Sequence, residues 1–327
     1  MKCLCCGKVL REDLSVPELS TGWHKSCVRK FFGTGELPEL DITDTTLTRL
    51  VNETTGKGYT VPGVQKKMSL HLTVGRGKPR LTLVNYPTGY ILKPQTAQFE
   101  ALPESEYLAM QMAKSTGIST VPFALLHLSD SEAYITKRVD RVLPGRKNPQ
   151  PKLFAMEDFC QLDLRLTEDK YRGSYERCAK IISLHSMRPG LDLSELFLRL
   201  VFCFAIGNSD MHLKNFSLIE TEPGSQQYIL SDAYDLLPVN VIMPEDTEQM
   251  ALALNGKKRN LHRNDFLKFA DTCGISSDAA EKMIGKIISM RDIYQAQCAE
   301  SYIPAEMKER FSLLIDGRID ALTKKQN

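Results

Sequence analysis

The sequence predicts an α+β protein in which a small β-rich lobe with one helix is followed by a larger, mostly helical lobe. Two observations carry this prediction. Apolar residues alternate with period two in short runs between residues 68 and 138, whereas helical periodicity dominates after residue 151. A stretch rich in Pro, Gly and basic residues, 142–151, separates the two patterns and predicts a linker.

The elements of the first lobe follow from local signals. Residues 41–56 have the composition of a polar helix. A second helix is predicted over Pro103–Ser115, with Pro near its start and Gly117 just after its end. The strands are predicted at Met68–Val74, Arg80–Val84, Gly89–Lys93, Phe123–Leu128 and Glu132–Arg138. We expect this lobe to cover 41–141, after a short, turn-rich Cys/His segment at 1–40.

The second lobe is expected at 142–327. The segment Leu193–Ile206 is apolar almost all round, which predicts a central buried helix. Two short strands are expected at Phe216–Ile219 and Tyr228–Leu230. The other predicted helices are Met156–Leu162, Lys170–Leu184, Asn264–Thr272, Ser277–Glu300 and Ala305–Thr323.

Composition narrows the class of protein. Of the 327 residues, 42% are hydrophobic and 25% charged, which is typical of a globular protein rather than a disordered one. The formal net charge of +2 argues against a nucleic-acid coat or a polybasic membrane anchor. No apolar run reaches the length of a membrane span, and the first residues lack the apolar stretch of a signal peptide. We therefore expect a cytoplasmic protein without a membrane partner.

The strongest chemical signal directly follows the predicted buried helix. Asp210 and Asn215 are five residues apart, the spacing of the base and the metal ligand in a protein-kinase catalytic loop. Phosphoryl transfer needs a carboxylate to orient the acceptor hydroxyl and oxygen ligands for Mg²⁺. Asp210 would supply the first and Asn215 the second, and Lys214 would neutralise developing charge. The alternative interpretation is an Asx-rich turn that caps the helix.

A second acidic position lies twenty residues further on. Asp235 stands between Tyr234 and two leucines, after an apolar strand. A carboxylate in such surroundings loses hydration unless it binds a cation, so Asp235 is the candidate second Mg²⁺ ligand. The alternative is an Asx turn at a strand end.

The first lobe supplies candidate phosphate contacts. Lys93 ends a strand and Glu106 lies early in the next helix, and a kinase needs such a Lys–Glu pair. The interval 57–93 contains seven Lys or Arg and no Asp or Glu, which suits a polyanionic ligand, although on its own the run is more typical of a solvated basic sheet edge. A glycine turn in this interval is a candidate cover for phosphates, formed by Gly63, Val64, Gln65 and Lys66.

Four of the nine cysteines lie within the first 27 residues. Cys3 and Cys6 form a Cys-x2-Cys pair, and His24 and Cys27 form a His-x2-Cys pair. Soft and borderline ligands at this spacing are typical of a zinc knuckle. The alternative is a reduced Cys-rich turn packed on the neighbouring lobe.

Taken together, these segments resemble the HipA family of serine/threonine protein kinases, the toxins of type II toxin–antitoxin systems. The resemblance covers roughly residues 45 to 325 in order. It rests on Thr60–Leu70, Gly89–Pro94, Glu104–Ala113, Ile135–Arg141, Met156–Gln161, Asp169–Glu176, Gly207–Leu218 and Ala233–Pro238. It implies a two-lobe, protein-kinase-like fold that uses ATP and Mg²⁺, with Asp210 as base, Asn215 and Asp235 on the metal, and Lys93 on the phosphates.

The resemblance also assigns positions that spacing alone does not. The backbone of Lys137 and Val139 would contact adenine, in a hinge that reads Lys-Arg-Val where Glu-Arg-Phe is more usual. His212 and Tyr234 would line the nucleotide pocket. Thr60 stands at the family's inhibitory autophosphorylation position, which is usually a serine, so the resemblance makes Thr60 the candidate phosphosite.

The same resemblance indicates partners. The chain is similar to short, HipT-like members that lack an N-terminal subdomain supplied by a separate small, HipS-like protein. A HipB-like helix-turn-helix antitoxin is expected, with DNA contacted only through that antitoxin. By analogy, the protein substrate would be an aminoacyl-tRNA synthetase. Two alternatives remain open: a catalytically silent kinase-like module that binds nucleotide or a partner, and a small-molecule kinase.

Overall fold

The computed structural model describes residues 1–41, 67–74, 77–83, 88–128, 131–143 and 150–324. Its contacts divide the chain into two compact units, Met1–Tyr107 with Val121–Lys152 and Leu108–Thr120 with Leu153–Asn327. The chain therefore passes from one unit to the other after Tyr107, after Thr120 and after Lys152. The boundaries expected from the sequence, after residues 40 and 141, stay predictions.

The first unit is built on a six-stranded sheet. Its strands are β1 (Glu39–Asp41), β2 (Met68–Thr73), β3 (Arg80–Thr82), β4 (Tyr90–Pro94), β5 (Phe123–His127) and β6 (Glu132–Lys137). They lie in the order β1-β3-β2-β4-β6-β5, so β1 and β5 are the edges. Strand β1 runs parallel to β3, and the other pairs are antiparallel. The five strands expected from the sequence are confirmed, and β1 is an addition.

Helix α3 (Leu102–Thr116) follows β4, as the sequence predicts. It ends at Gly117, whose φ of +88° is accessible to glycine at little cost and explains the stop. Two-residue strands follow β6 at β7 (Arg141–Val142) and β8 (Lys152–Leu153). The polar helix predicted over 41–56 lies outside the described residues.

The N-terminal segment is more regular than the turn-rich stretch that the sequence predicts. Helix α1 (Val16–Thr21) has a capping box, in which Ser15 and Glu18 satisfy each other's backbone and side-chain groups. Helix α2 (Lys25–Phe32) buries an apolar face formed by Val28, Phe31 and Phe32. That spacing of three and four residues is the helical signal that the turn interpretation missed.

The second unit is mostly helical. Its helices are α4 (Phe159–Leu162), α5 (Tyr175–His185), α6 (Pro189–Ala205), α7 (Val239–Ile242), α8 (Arg263–Thr272), α9 (Ser277–Ser289), α10 (Arg291–Ala299) and α11 (Ala305–Thr323). Helix α6 is buried over nearly its whole second half, which confirms the predicted central helix. Within the described part of the chain, no helix has the length and apolar character needed to cross a bilayer.

A three-stranded sheet completes this unit, in the order β11-β10-β9. Its strands are β9 (Met156–Asp158), β10 (Ser217–Glu220) and β11 (Tyr228–Leu230). The predicted helix over Met156–Leu162 is therefore wrong in its first half, because Met156 pairs with Ile219 across the sheet and tertiary pairing overrides the local pattern.

Two further helix predictions need correction. The helix expected from Lys170 begins instead at Tyr175, where the side chain of Ser174 accepts the Arg177 N–H as an N-cap. The long helix expected over Ser277–Glu300 is divided into α9 and α10 at Met290, the C-cap of one helix and the N-cap of the next.

Candidate active site

Lys93 and Glu106 form a buried ion pair in the first unit. Lys93 lies on β4 and Glu106 on α3, and Lys93 Nζ is 2.5 Å from Glu106 Oε1. The two side chains are 4% and 0% exposed. The ammonium also lies 5.2 Å from the centroid of the Tyr134 ring, close enough for a cation–π contact. Buried charges persist only when paired, so the opposite charges and the short distance account for this arrangement.

The expected hinge follows β6. The Lys137 N–H donates to the Pro122 carbonyl, so a Lys137 contact to adenine would use its carbonyl. Beyond it, Arg138 and Arg141 both donate to the carboxylate of Asp140, at 2.7 Å each for the closest oxygen. Burial alone would raise the pKa of Asp140, but these two guanidinium groups outweigh it and lower the pKa to about 2. The arginine pair thus fixes the chain next to Val139.

The loop that carries Asp210 leaves the buried end of α6 through a glycine. Gly207 has a φ of +68°, and a Cβ there would lie 2.9 Å from Leu314 side-chain atoms, so the turn requires glycine. Beyond the turn, Ser209 Oγ donates to the Asp246 carboxylate at 2.6 Å, and Asn240 Nδ2 donates to the Asp246 carbonyl at 3.0 Å. The loop therefore begins on a rigid, hydrogen-bonded base.

Asp210 and Asn215 are joined across the loop. The chain passes through a 3₁₀ turn at Leu213–Asn215, and Asn215 Nδ2 donates to the Asp210 carbonyl at 2.8 Å. Asn215 is buried, whereas Asp210 is half-buried. Because the Asn215 nitrogen is engaged, its amide oxygen is the atom that can ligate a cation. The five-residue spacing thus produces a closed loop with two oxygen-bearing side chains.

Tyr171 is a functional candidate that sequence reasoning missed. Its hydroxyl donates to Asp210 Oδ1 at 2.6 Å, from a position 39 residues earlier in the chain. Its ring meets the His212 ring edge-on, with centroids 5.0 Å apart. Burial, reinforced by the Asp210 charge, raises the pKa of Tyr171 well above its usual value, so the phenol stays a donor. Its separation from Asp210 in sequence left no local signal.

Lys214 has an ion-pair partner that the sequence did not indicate. Its Nζ lies 2.6 Å from Asp158 Oδ2, where β9 meets the first turn of α4. Asp158 also caps α4 by accepting the Gln161 N–H. A lysine so engaged is a positioned charge next to the loop, and its predicted contact with a transferred phosphoryl stays a prediction.

Asp235 lies in an unusual backbone conformation. Its φ is +59°, a region that few residues other than glycine adopt, and such conformations concentrate at functional sites. The preceding Tyr234 hydroxyl contacts Ser217 Oγ at 2.6 Å and donates to the Lys214 carbonyl at 3.1 Å. Tyr234 therefore links the Asp235 turn to the Asp210–Asn215 loop, and burial raises the pKa of its phenol.

The donor chemistry of this unit fits Mg²⁺. Asn215 offers an amide oxygen and Asp235 a carboxylate, and Mg²⁺ prefers such hard oxygen ligands, usually one or two from the protein with phosphates and water completing the shell. The Tyr234 contacts link the two segments that carry these oxygens. These residues could hold the cation that a kinase uses.

The structure also brings together the four N-terminal candidate ligands. The ligand atoms of Cys3, Cys6, His24 and Cys27 all lie within 4.8 Å of one another. The proposed phosphate cover, by contrast, lies outside the described residues, as does the candidate phosphosite Thr60. The cover comprises Gly63, Val64, Gln65 and Lys66.

Three curated relatives share 24–29% identity with this chain. “Putative kinase Y4dM” of Sinorhizobium fredii is 29% identical over 69% of this chain and 55% of its own length. A Haemophilus influenzae protein named “Putative kinase” is 24% identical over 76% of this chain and 77% of its own length. A second S. fredii relative, “Putative kinase Y4mE”, is 26% identical over 80% of this chain and 63% of its own length. The matches thus span about half to three quarters of these relatives.

Solved structures give the same fold. HipA from a Shewanella oneidensis MR-1 complex with HipB and operator DNA matches with a TM-score of 0.66 at 18% identity, over 81% of this chain and 65% of that one. The Helicobacter pylori proinflammatory kinase CtkA matches with a TM-score of 0.53 at 16% identity, over 74% of this chain and 90% of that one. The expected α+β, kinase-like architecture is therefore confirmed. A family model described as HipA-like C-terminal domain matches residues 59–293, so the chain belongs to that family.

Proposed function

We propose that this protein is an ATP-dependent protein serine/threonine kinase of the HipA toxin type. Membership of a kinase-like family supports the general activity. The observation that carries the proposal is the closed loop in which Asn215 donates to the Asp210 carbonyl while Asp210 accepts the Tyr171 hydroxyl. A scaffold that binds no nucleotide would have no use for this loop, for Asp235 and for the Lys93–Glu106 pair all at once.

In this proposal Asp210 is the catalytic residue for proton transfer. Its carboxylate orients a serine or threonine hydroxyl and takes up the proton as that oxygen bonds to the γ-phosphorus of ATP. The bond between the γ-phosphorus and the β–γ bridging oxygen breaks, and ADP leaves. Lys93, held by Glu106, binds phosphate oxygens, and the Lys137 carbonyl and Val139 N–H contact adenine.

Asn215 and Asp235 would hold Mg²⁺ in this proposal. The cation, when bound, offsets negative charge on the phosphate oxygens. Tyr171 acts through Asp210 as a positioning residue, because its hydroxyl donates to Oδ1 and so fixes the orientation of the carboxylate. Lys214 and His212 complete the polar surroundings of the nucleotide.

The proposal extends to partners. The S. oneidensis HipA that shares the fold assembles with HipB and operator DNA. We propose a HipB-like antitoxin for this protein, contact with DNA only through that antitoxin, a HipS-like small protein as a further partner, and an aminoacyl-tRNA synthetase as substrate. Co-expression of the neighbouring small genes, followed by pull-down with this protein, tests the first and third of these partners.

Thr60 is the proposed self-phosphorylation site. A phosphate there would add about −1.5 to −2 charge at pH 7 next to a triphosphate, which disfavours nucleotide binding. Phosphopeptide mapping after prolonged incubation with MgATP should find phosphate on Thr60. Phosphate found only at other positions would remove Thr60 from the mechanism.

The experiment that tests the kinase assignment uses a transferable γ-thiophosphate. Wild-type protein and the Asp210→Asn variant are incubated with MgATPγS and a cell extract, and labelled proteins are analysed for phosphoamino acids. We expect labelled serine or threonine with the wild type and about 10²–10⁴-fold less with the variant, the range for loss of a general base. Equal labelling by both, or none by a wild type that binds MgATP, would favour the silent binding module.

A further inference from the structure

The N-terminal Cys/His cluster has the dimensions of a tetrahedral metal site. Cys6 Sγ lies 3.5 Å from His24 Nδ1, and Cys27 Sγ lies 4.0 Å from the same nitrogen. Zinc bonds of about 2.0–2.3 Å to nitrogen and sulfur place neighbouring ligand atoms of a tetrahedron about 3.4–3.8 Å apart. These two separations are close to those edges and all four ligand atoms lie within 4.8 Å of one another, so a central ion needs shifts of about 1 Å or less.

The backbone supports the cluster as a metal knuckle would. The Cys3 N–H donates to the Lys8 carbonyl and the Gly7 N–H donates to the Cys3 carbonyl, each at 2.8 Å, which turns Cys6 back towards Cys3. Gly7 permits this turn with a φ of +71°. The His24 N–H points at Cys3 Sγ from 3.4 Å, a contact that stabilises a thiolate ligand.

We infer that Cys3, Cys6, His24 and Cys27 bind one Zn²⁺, which fastens the N-terminal segment (residues 1–33) to the β5 edge of the sheet. Three thiolates and an imidazole favour zinc over hard cations such as Mg²⁺. Four protein ligands fill a tetrahedral shell, which is the pattern of a structural rather than a catalytic zinc. The ion is separate from the proposed Mg²⁺ site.

The N-terminal segment covers the outer edge of β5. The Leu125 N–H donates to the Leu4 carbonyl at 2.9 Å, and the Leu125 carbonyl accepts from Trp23 Nε1 at 3.2 Å. Both backbone groups of an edge residue are thereby paired, which blocks addition of another strand there. Trp23 is fully buried, 5.7 Å from the Phe31 ring.

The segment is too short to form an independent core: its buried Phe31 and Phe32 pack against Tyr90 of the sheet, and an ion would add to that attachment. Helix α1 contributes no buried residue. A segment of this size ordinarily needs a disulfide or a metal to stay ordered, and its described cysteines are all unbridged. A ligand residue also reaches α3, where the Tyr107 hydroxyl lies 3.5 Å from the Cys3 carbonyl, next to Glu106. The zinc would therefore steady the helix that carries Glu106.

Metal analysis of the purified, reduced full-length chain tests the site without reference to kinase activity. We expect about one zinc per chain in the wild type and in Cys5→Ser, and near zero in Cys27→Ser. Cys5 is the matched control, because it lies between two ligands in sequence but outside the four-ligand group. Cobalt exchanged into the wild type should give the visible bands of tetrahedral Co²⁺ with thiolate charge transfer.

The single tryptophan reports the consequence for the segment. Trp23 is the one Trp in the chain and lies in this segment, so its emission follows the order of the N-terminus. A strong zinc chelator should shift that emission to longer wavelength and leave far-ultraviolet circular dichroism of the remaining chain nearly unchanged. Re-added Zn²⁺ should reverse the shift.

Three outcomes would overturn the inference. The reduced wild type with no zinc and no tetrahedral cobalt spectrum would make the cluster a plain reduced turn. Loss of zinc from Cys5→Ser equal to that from Cys27→Ser would refute the ligand set. Metal removal that leaves Trp23 emission unchanged would refute the fastening role. None of these results bears on phosphoryl transfer, so this inference and the kinase proposal can fail separately.

Discussion

Lys93 and Glu106 lie in the interior of the first unit, whereas Asp210 lies half-buried on a loop of the second. The buried pair joins two opposite charges 2.5 Å apart, on side chains that are 4% and 0% exposed. The loop is fixed by hydrogen bonds such as Asn215 to the Asp210 carbonyl, and its base by the Ser209–Asp246 contact. We therefore expect function and stability to be coupled in the pair but separable in the loop.

The largest effect on stability is expected at the buried pair. Glu106→Gln removes the carboxylate nearest to the buried Lys93 ammonium, and breaking a buried ion pair costs about 3 kcal/mol or more. Urea unfolding should show this loss, and phosphoryl transfer should fall with it. The control is Glu39→Gln, at an exposed pair with Lys78 in the same sheet, where no measurable change is expected. Equal stability of both variants would show that the buried pair contributes no more to folding than the exposed pair does.

A second, smaller effect on stability is expected at the hinge, where burial is partial. The folded pKa of Asp140 is about 2, below the ordinary value of 3.8. A lowered pKa contributes stability that is present above about pH 4 and is lost as pH falls towards 2. Asp140→Asn should therefore lower the free energy of unfolding by about 1 kcal/mol at pH 7, since solvent screens part of the interaction.

Unfolding measured across pH checks this prediction. The difference between wild type and Asp140→Asn should shrink from pH 4 downwards and nearly vanish at pH 2. A difference that is independent of pH would mean that shape, rather than the carboxylate charge, holds the hinge.

Tyr171→Phe tests the loop, because it removes the hydroxyl that contacts Asp210 and leaves the fold intact. Without the hydroxyl the Asp210 carboxylate can turn, and a misplaced catalytic group costs up to about 10²-fold in rate, so kcat should fall about 10-fold or more. The KM for MgATP and the melting temperature should stay near the wild-type values, since the ring and its contact with His212 remain. Tyr302→Phe, in the same unit but partly exposed, is the control. A rise in KM with an unchanged kcat would give Tyr171 a binding role instead.

Local sequence patterns were sufficient for much of the fold and for part of the site. Strand β2 alternates buried and exposed residues at its start, as period-two alternation predicts. The pairing of Lys93 with Glu106 and the Asp210–Asn215 loop also follow from short spacings. Motifs of this kind are local, so the residues that form them are visible together in the chain.

The features that the sequence did not predict depend on partners that are distant in the chain. Tyr171 and Asp210 are 39 residues apart in the chain, and Lys214 and Asp158 are 56 apart. No local sequence motif therefore predicts either contact. The sequence predicts helix at Met156, whereas the structure has a strand there, because pairing with β10 is decided by tertiary structure. Long-range pairing, rather than weak local signal, explains these misses.

One measurement tests the separability of function and fold in the loop most directly. Wild type, Asp210→Asn and Asp235→Asn are each titrated calorimetrically with MgATP and then assayed for transfer of labelled γ-phosphate. We predict that Asp210→Asn binds MgATP like the wild type, melts at the same temperature and transfers no phosphate above background. Asp235→Asn should bind MgATP more weakly, because a cation ligand is lost. Transfer by Asp210→Asn at the wild-type rate would contradict the account.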